Sequence, residues 1–307
     1  MSTSRREFIA TSAVAAIFAA LGRPSVTLGL QQQVPRPVFT PIRRNVGFFT
    51  MRGGTIGYLV NPGGVAVVDS QFPAEASTFV EGIRQRAEGR GVDVLINTHH
   101  HGDHTGGNIS FRGVARSVVA HEKAAEHMRH PPGGEPPQDQ LFPDLAFSDS
   151  WSADIGDEHI VARHYGRAHT SGDIVITFER ANVVHMGDLM FNRRHPVVDR
   201  AAGATMRNWM TVLDRTVEDH AADTVYIFGH ANSEQPVTGG RDDLMVLRNY
   251  FDALLTFVDN QVRAGHSREQ ILAMREPLRG FEEFGPFGQP SARDPLTCAY
   301  EEVTEGA

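Results

Sequence analysis

The sequence predicts an α/β (α+β) fold in which β-sheets are covered by helices, and three observations carry that expectation. Short β-rich runs end in glycine and asparagine turns, segments with an apolar repeat of three and four residues lie between them, and the theme recurs in both halves of the chain. The composition, 307 residues with 40% hydrophobic and 21% charged, is that of an ordinary globular chain and excludes collagen, coiled coil and disorder.

Read in order, the chain begins with an address. Ser4-Arg5-Arg6-Glu7-Phe8-Ile9 leads into an uncharged run from Ile9 to Gly22, closed by Arg23 and Pro24. A charged start before a short apolar run is the pattern of a secretory signal. Paired arginines followed by a large apolar pair resemble the twin-arginine type, which implies recognition by the export machinery and a periplasmic or secreted destination. The run falls short of the roughly 20 apolar residues that span a bilayer, so no stable membrane anchor is expected. Residues 1–34 are therefore read as signal and linker, and 35–307 as one domain with C-terminal helices from about residue 241.

Strands are expected at Val46 to Met51, Thr55 to Val60 and, after the Asn61-Pro62-Gly63-Gly64 turn, Val65 to Val68. Ala76, Phe79, Val80, Ile83 and Ala87 share one helical face, which predicts a helix over Ala74 to Ala87. Strand Val92 to Ile96 follows. The second half predicts strands at Ile160 to Tyr165, Ile174 to Phe178, Val183 to Met186 and Thr224 to Phe228, with helices near Thr205 to Val217 and Leu244 to Val262. His130 to Pro143 holds five prolines and reads as a surface loop.

Charge narrows the function. With 37 acidic residues against 29 basic ones the net charge is -8, which offers no electrostatic footprint for nucleic acid and disfavours a polyanionic substrate. Cys298 is the one cysteine, so neither a disulfide framework nor a multi-cysteine metal site can form within the chain.

The 15 histidines are the unusual number, and four fall between His99 and His104. Thr98-His99-His100-His101-Gly102-Asp103-His104-Thr105-Gly106-Gly107 packs imidazoles and a carboxylate just past a strand, a donor set that suits zinc and also iron or manganese. In an extended segment His99 and His101 share a face, whereas His100 faces away; Asp103 and His104, in the turn, reach a neighbouring position. Gly102, Gly106 and Gly107 are expected to permit the tight backbone there. One cluster cannot complete two metal shells. Three further candidates stand where buried strands emerge: His169 in Gly166-Arg167-Ala168-His169-Thr170-Ser171-Gly172-Asp173, Asp188 after His185-Met186-Gly187, and His230 after Phe228-Gly229. His121 reads as a helix-start residue, and Asn192 to His195 as a loop at a substrate mouth or in solvent.

With these motifs the chain, over roughly Asn45 to Gly239, resembles the metallo-β-lactamase superfamily. The resemblance implies a sandwich of two mixed β-sheets with helices on both outer faces and the metals at one edge. It implies that His99, His101 and His169 hold one ion, that Asp103, His104 and His230 hold the second, and that Asp188 bridges them. Two Zn2+ are expected, with a metal-activated hydroxide as nucleophile and Asp103 as the catalytic residue that orients it and passes its proton on. An aspartate at position 188 departs from the cysteine-bearing β-lactamases, and its pairing with His104 is similar to hydroxyacylglutathione hydrolases and related lactonases and esterases. The function read from this is an exported dinuclear hydrolase acting on a small ester, thioester, lactone or amide. The alternatives are β-lactam hydrolysis, iron-dependent oxygen chemistry and a periplasmic metal-binding protein.

Overall fold

In the computed structural model residues 37–305, apart from Pro136, are described, so the expected signal segment lies outside the described residues. Strands β1 (Val38–Arg43), β2 (Val46–Thr50), β3 (Ile56–Asn61) and β4 (Gly64–Val68) form an antiparallel meander. Helix α1 (Pro73–Arg86) then crosses to β5 (Val94–Asn97), and the chain continues through the four-residue helix α2 (Gly102–Thr105), β6 (Val118–His121), α3 (Glu122–Arg129) and β7 (Leu145–Phe147). Strands β4 to β7 are parallel, and the seven-stranded sheet keeps sequence order throughout.

The second half repeats the arrangement. β8 (Ser150–Ile155), β9 (Glu158–Arg163), β10 (Val175–Phe178) and β11 (Val183–His185) are antiparallel neighbours, followed by β12 (Phe191–Asn192) and α4 (Met206–Asp219). β13 (Val225–Ile227), β14 (His230–Ala231) and β15 (Thr238–Gly239) precede α5 (Arg241–Arg263), α6 (Arg268–Leu272) and α7 (Pro295–Glu305). The six-stranded sheet has the order β15-β13-β11-β10-β9-β8 with β11 and β13 parallel, and β12 pairs with β14 beside it.

Side-chain alternation converts these two sheets into layers, because successive residues of a strand face opposite sides. In β4, Val65 and Val67 pack on α1 with Phe79 and Ile83, while Ala66 and Val68 face Ile160, Ile176 and Ile227 of the other sheet. On the far side of the second sheet Val184, Tyr226 and Phe228 meet Trp209 and Leu213 of α4 and Leu247, Phe251 and Leu254 of α5. Three apolar layers therefore separate helix, sheet, sheet and helix, the sandwich that the sequence led us to expect. Parallel strands β4, β5, β11 and β13 deliver their carboxyl ends to one rim, where open α/β sheets place their sites.

Local departures have physical reasons. His121, expected to begin a helix, does so: its Nδ1 accepts from Lys123 N at 3.2 Å and caps α3. The histidine cluster does not continue the strand as expected: β5 ends at Asn97, residues 98–100 bend, and α2, starting at Gly102, makes the expected turn of Asp103 and His104 a helical one. Of the three glycines there only Gly107 is sterically required, since a Cβ would overlap Ser70 O; Gly102 and Gly106 have ordinary helical backbone and room for a side chain.

Candidate metal centre

The seven expected side chains reach the rim from four places in the chain, four of them from the single connection after β5. His99 and His101 follow β5, Asp103 and His104 lie in α2, His169 ends the β9–β10 connection, Asp188 follows β11, and His230 opens β14. The structure brings all seven together. His101 Nδ1 stands 3.2 Å from His99 Nε2 and 2.9 Å from His169 Nε2. Beside them Asp103 Oδ2 lies 3.0 Å from His230 Nε2 and 3.8 Å from His104 Nε2.

Asp188 sits between these two groups. Its Oδ2 is 3.9 Å from His99, 3.6 Å from His169 and 3.3 Å from His230, while its Oδ1 is 2.9 Å from His104. Despite that proximity the buried Oδ1 makes no aligned hydrogen bond. Gly229 leaves room for this carboxylate, as a Cβ would overlap Oδ1, and Gly54 does the same for the His104 ring.

The outer hydrogen bonds fix the tautomers. His169 Nδ1 donates to Val197 O at 2.8 Å, His101 Nε2 to Asp199 Oδ2 at 2.8 Å, and His104 Nδ1 to Asp69 Oδ2 at 2.7 Å. The Thr98 hydroxyl donates to Asp69 Oδ2, so it accepts from His99 Nδ1 at 3.0 Å. Four histidines thus spend a proton outward, and three of them, His99, His101 and His169, turn lone pairs toward one another at 2.9–3.2 Å with no proton to share. Tetrahedral ligands about 2.0–2.1 Å from a divalent ion would be separated by roughly 3.3 Å. The donors therefore fit cations, and the anchored outer nitrogens are what such ligands require.

Electrostatics point the same way. Burial, reinforced by neighbouring imidazoles, holds His99 well below the ordinary histidine range and pushes His169 down to about 3, so both keep a free lone pair. Burial would also lower His104, but the Asp188 and Asp69 carboxylates outweigh it and raise the ring well above its usual value. For Asp188 burial acts upward, and the His104 and His230 imidazoles nevertheless hold it well below the carboxylate range. Asp103 falls to about 2 because its hydrogen bond to His230 and the charge of His104 overcome burial.

His100 stays out of the group around Asp188, as expected. Its ring lies 4.9 Å from His127, and its buried Nδ1 has no hydrogen-bond partner. Nitrogen and oxygen atoms of His100, His101 and Asp199 also cluster. There the hydrogen bond between His101 and Asp199, and the Arg293 guanidinium 3.0 Å from Asp199, already occupy the space a cation would need.

Sequence reasoning missed Asp69, Thr98 and Asp199, which orient the rings, and Phe191, which is core yet stacks on His230 at 5.2 Å. Asp69 carried the same signal as Asp188, a carboxylate just past a buried strand; Asp199 carried none. In the loop after Asp188, Asn192, Arg193 and His195 turn inward to Pro236 O, Asp243 and Tyr250. Arg194 alone in that loop faces the centre: it is exposed, lies 3.4 Å from His230 Nδ1, and has no carboxylate at ion-pair distance among the described residues. His185 is structural, donating to Thr55 O and accepting from Gly187 N.

Comparison with known proteins gives a consistent outcome. The Metallo-beta-lactamase superfamily matches residues 50–231. A curated relative, hydroxyacylglutathione hydrolase of Methylococcus capsulatus, is 29% identical over 139 residues, 44% of this chain and 47% of its own, so the chain spans about half the length of that relative. Among solved structures, a metallo-beta-lactamase from Pontibacter korlensis superposes with a TM-score of 0.57 at 19% identity, covering 71% of this chain and 99% of that one. The DIM-1 metallo-beta-lactamase gives 0.59 at 14% identity, with 72% and 99% covered. At such identities the likeness of the solved structures is one of fold.

Proposed function

The chain belongs to the metallo-beta-lactamase superfamily, a family whose members bind metal ions, and from that premise we propose that it is an exported two-metal hydrolase of a small ester, thioester, lactone or amide. One observation carries the reading: the Asp188 carboxylate lies between His99, His101 and His169 on one side and Asp103, His104 and His230 on the other. The donor set suits two Zn2+, with iron or manganese as the other borderline choices.

Bound divalent ions would supply Lewis acidity, which brings the pKa of water from near 15.7 to about 7. The protein's own groups do the rest. Asp103, ionised and about a third exposed, orients the attacking water and takes its proton, then returns it to the leaving oxygen, sulfur or nitrogen as the acyl bond breaks. Asp188 is buried and stays ionised, so it balances charge and does not shuttle protons. Arg194 stands at the mouth and binds an anionic group on the substrate, and Phe191 and Trp209 close the floor against water.

The thioester arm draws support from the hydroxyacylglutathione hydrolase likeness. Export rests on the Arg5-Arg6 segment. The deciding experiment is metal content per purified chain, paired with turnover of a thioester, a lactone, a simple ester and a β-lactam. Two equivalents of zinc with one class turned over support the proposal. One equivalent of iron without hydrolysis overturns it.

A further inference from the structure

Two of the histidines at the first position, His101 and His169, take their outer hydrogen bonds from one loop, Asp199 and Val197 respectively. Inside the loop Asp199 Oδ1 accepts from Ala202 N at 3.3 Å, and a second hold comes from outside it. Its backbone is pinned by the C-terminal stretch: Val198 N donates to Arg293 O at 3.1 Å, and Cys298 Sγ lies 3.5 Å from Val198 O. The Arg293 guanidinium reaches Asp199 Oδ2 at 3.0 Å, the same oxygen that accepts from His101. Arg293 is fixed in turn, because the neighbouring Asp294 pairs with Arg275 at 3.0 Å and accepts from Leu296 N and Thr297 N to start α7. Leu296, Cys298 and Ala299 of α7 then pack into the layer shared with α4 and α5.

We infer that the stretch from Arg293 to Cys298, well beyond residue 231 where the family match ends, is a brace that sets the His101 and His169 rings for metal, with Arg293 as the positioning residue. The brace rests on the metal reading above. It works through geometry: with Oδ2 held from the solvent side by Arg293, Asp199 keeps one orientation and so keeps His101 Nε2 as donor and Nδ1 as the free lone pair. Asp199 is buried, whereas the Arg293 side chain is 49% exposed, so truncating the arginine opens no cavity in the core.

The test uses the full chain loaded with zinc. Release of zinc to a chromophoric chelator is timed for wild type, Arg293→Ala and Arg293→Lys, and thermal unfolding of each metal-free protein is recorded alongside. Arg293→Ala is expected to release one equivalent about tenfold faster, the scale on which partners of metal-bound histidines act, with the metal-free midpoint unchanged. Arg293→Lys, which keeps a cation on Asp199, restores the slow release. Wild-type release from Arg293→Ala overturns the brace and leaves the hydrolase reading standing. Faster release that tracks a lowered metal-free midpoint and is not rescued by lysine overturns it as well, since the effect is then one of general stability. A wild-type chain that takes up no zinc removes both.

Discussion

At the scale of the residue, Asp188 and His100 make the sharpest contrast, because both are buried and both carry a polar atom without a hydrogen bond. Asp188 touches both donor groups, so Asp188→Asn is expected to cut bound metal from two equivalents to one and to abolish turnover. His100→Ala should keep both equivalents, since its ring lies outside the group around Asp188; atomic emission on dialysed protein checks the pair. The seven candidate positions that the fold gathers stood out in the sequence because each is a polar residue a few positions past a buried strand, often beside glycine. Asp199 was not, as nothing near Val197-Val198-Asp199 signals a ring 98 residues earlier in the chain. Partners outside the ligand set are chosen by topology, and topology has no local pattern.

Elements with a strong period were legible too: α1, α4 and α5 fall within a few residues of the expected ranges, and the described residues of the proline-rich stretch after α3 form neither helix nor strand. β1, β6, β7 and β8 were not foreseen, whereas α3 was marked only by its first residue, His121, and α7 only as part of a helical C-terminus. β1 is an edge strand that tolerates Pro41 at an irregularity, and β8, exposed on alternate residues, carries too little apolar signal to stand out. Two tests belong here. Burial and the stacked His164 ring push His121, the α3 cap, down to about 4, against an ordinary value of 6.5. Between those values the unfolded chain binds a proton that the folded one refuses, so stability present above pH 6.5 is lost as pH falls through the window. His121→Asn keeps a cap and removes the titration, and its urea midpoint should fall less on acidification than that of wild type. Glu302 of α7 is buried and accepts from Thr205 Oγ1, Met206 N and Arg207 N at 2.8–2.9 Å, capping α4 from another element. Glu302→Ala leaves those donors unpaired and should cost about 3 kcal/mol in denaturant unfolding.

For the whole molecule, the proposed ligands come from every sheet, His99 to His104 from the end of the seven-stranded one, His169 and Asp188 from the six-stranded one and His230 from the two-stranded one. Ions held there would bind only the folded stack, and so would raise stability by mass action, about 4 kcal/mol when free metal exceeds its dissociation constant a thousandfold. Chelation is therefore expected to lower the unfolding midpoint of wild type, and to lower that of Asp188→Asn by less; calorimetry with and without chelator separates the two. One consequence is optical. Trp209 lies 5.5 Å from the His169 ring and donates to Leu189 O next to Asp188, while the second tryptophan, Trp151, sits on edge strand β8. The chain thus carries an intrinsic fluorophore against its own centre and a reference fluorophore away from it. Titrated cobalt(II) should quench the Trp209 emission in step with loading, and Trp209→Phe should leave only the steady signal of Trp151.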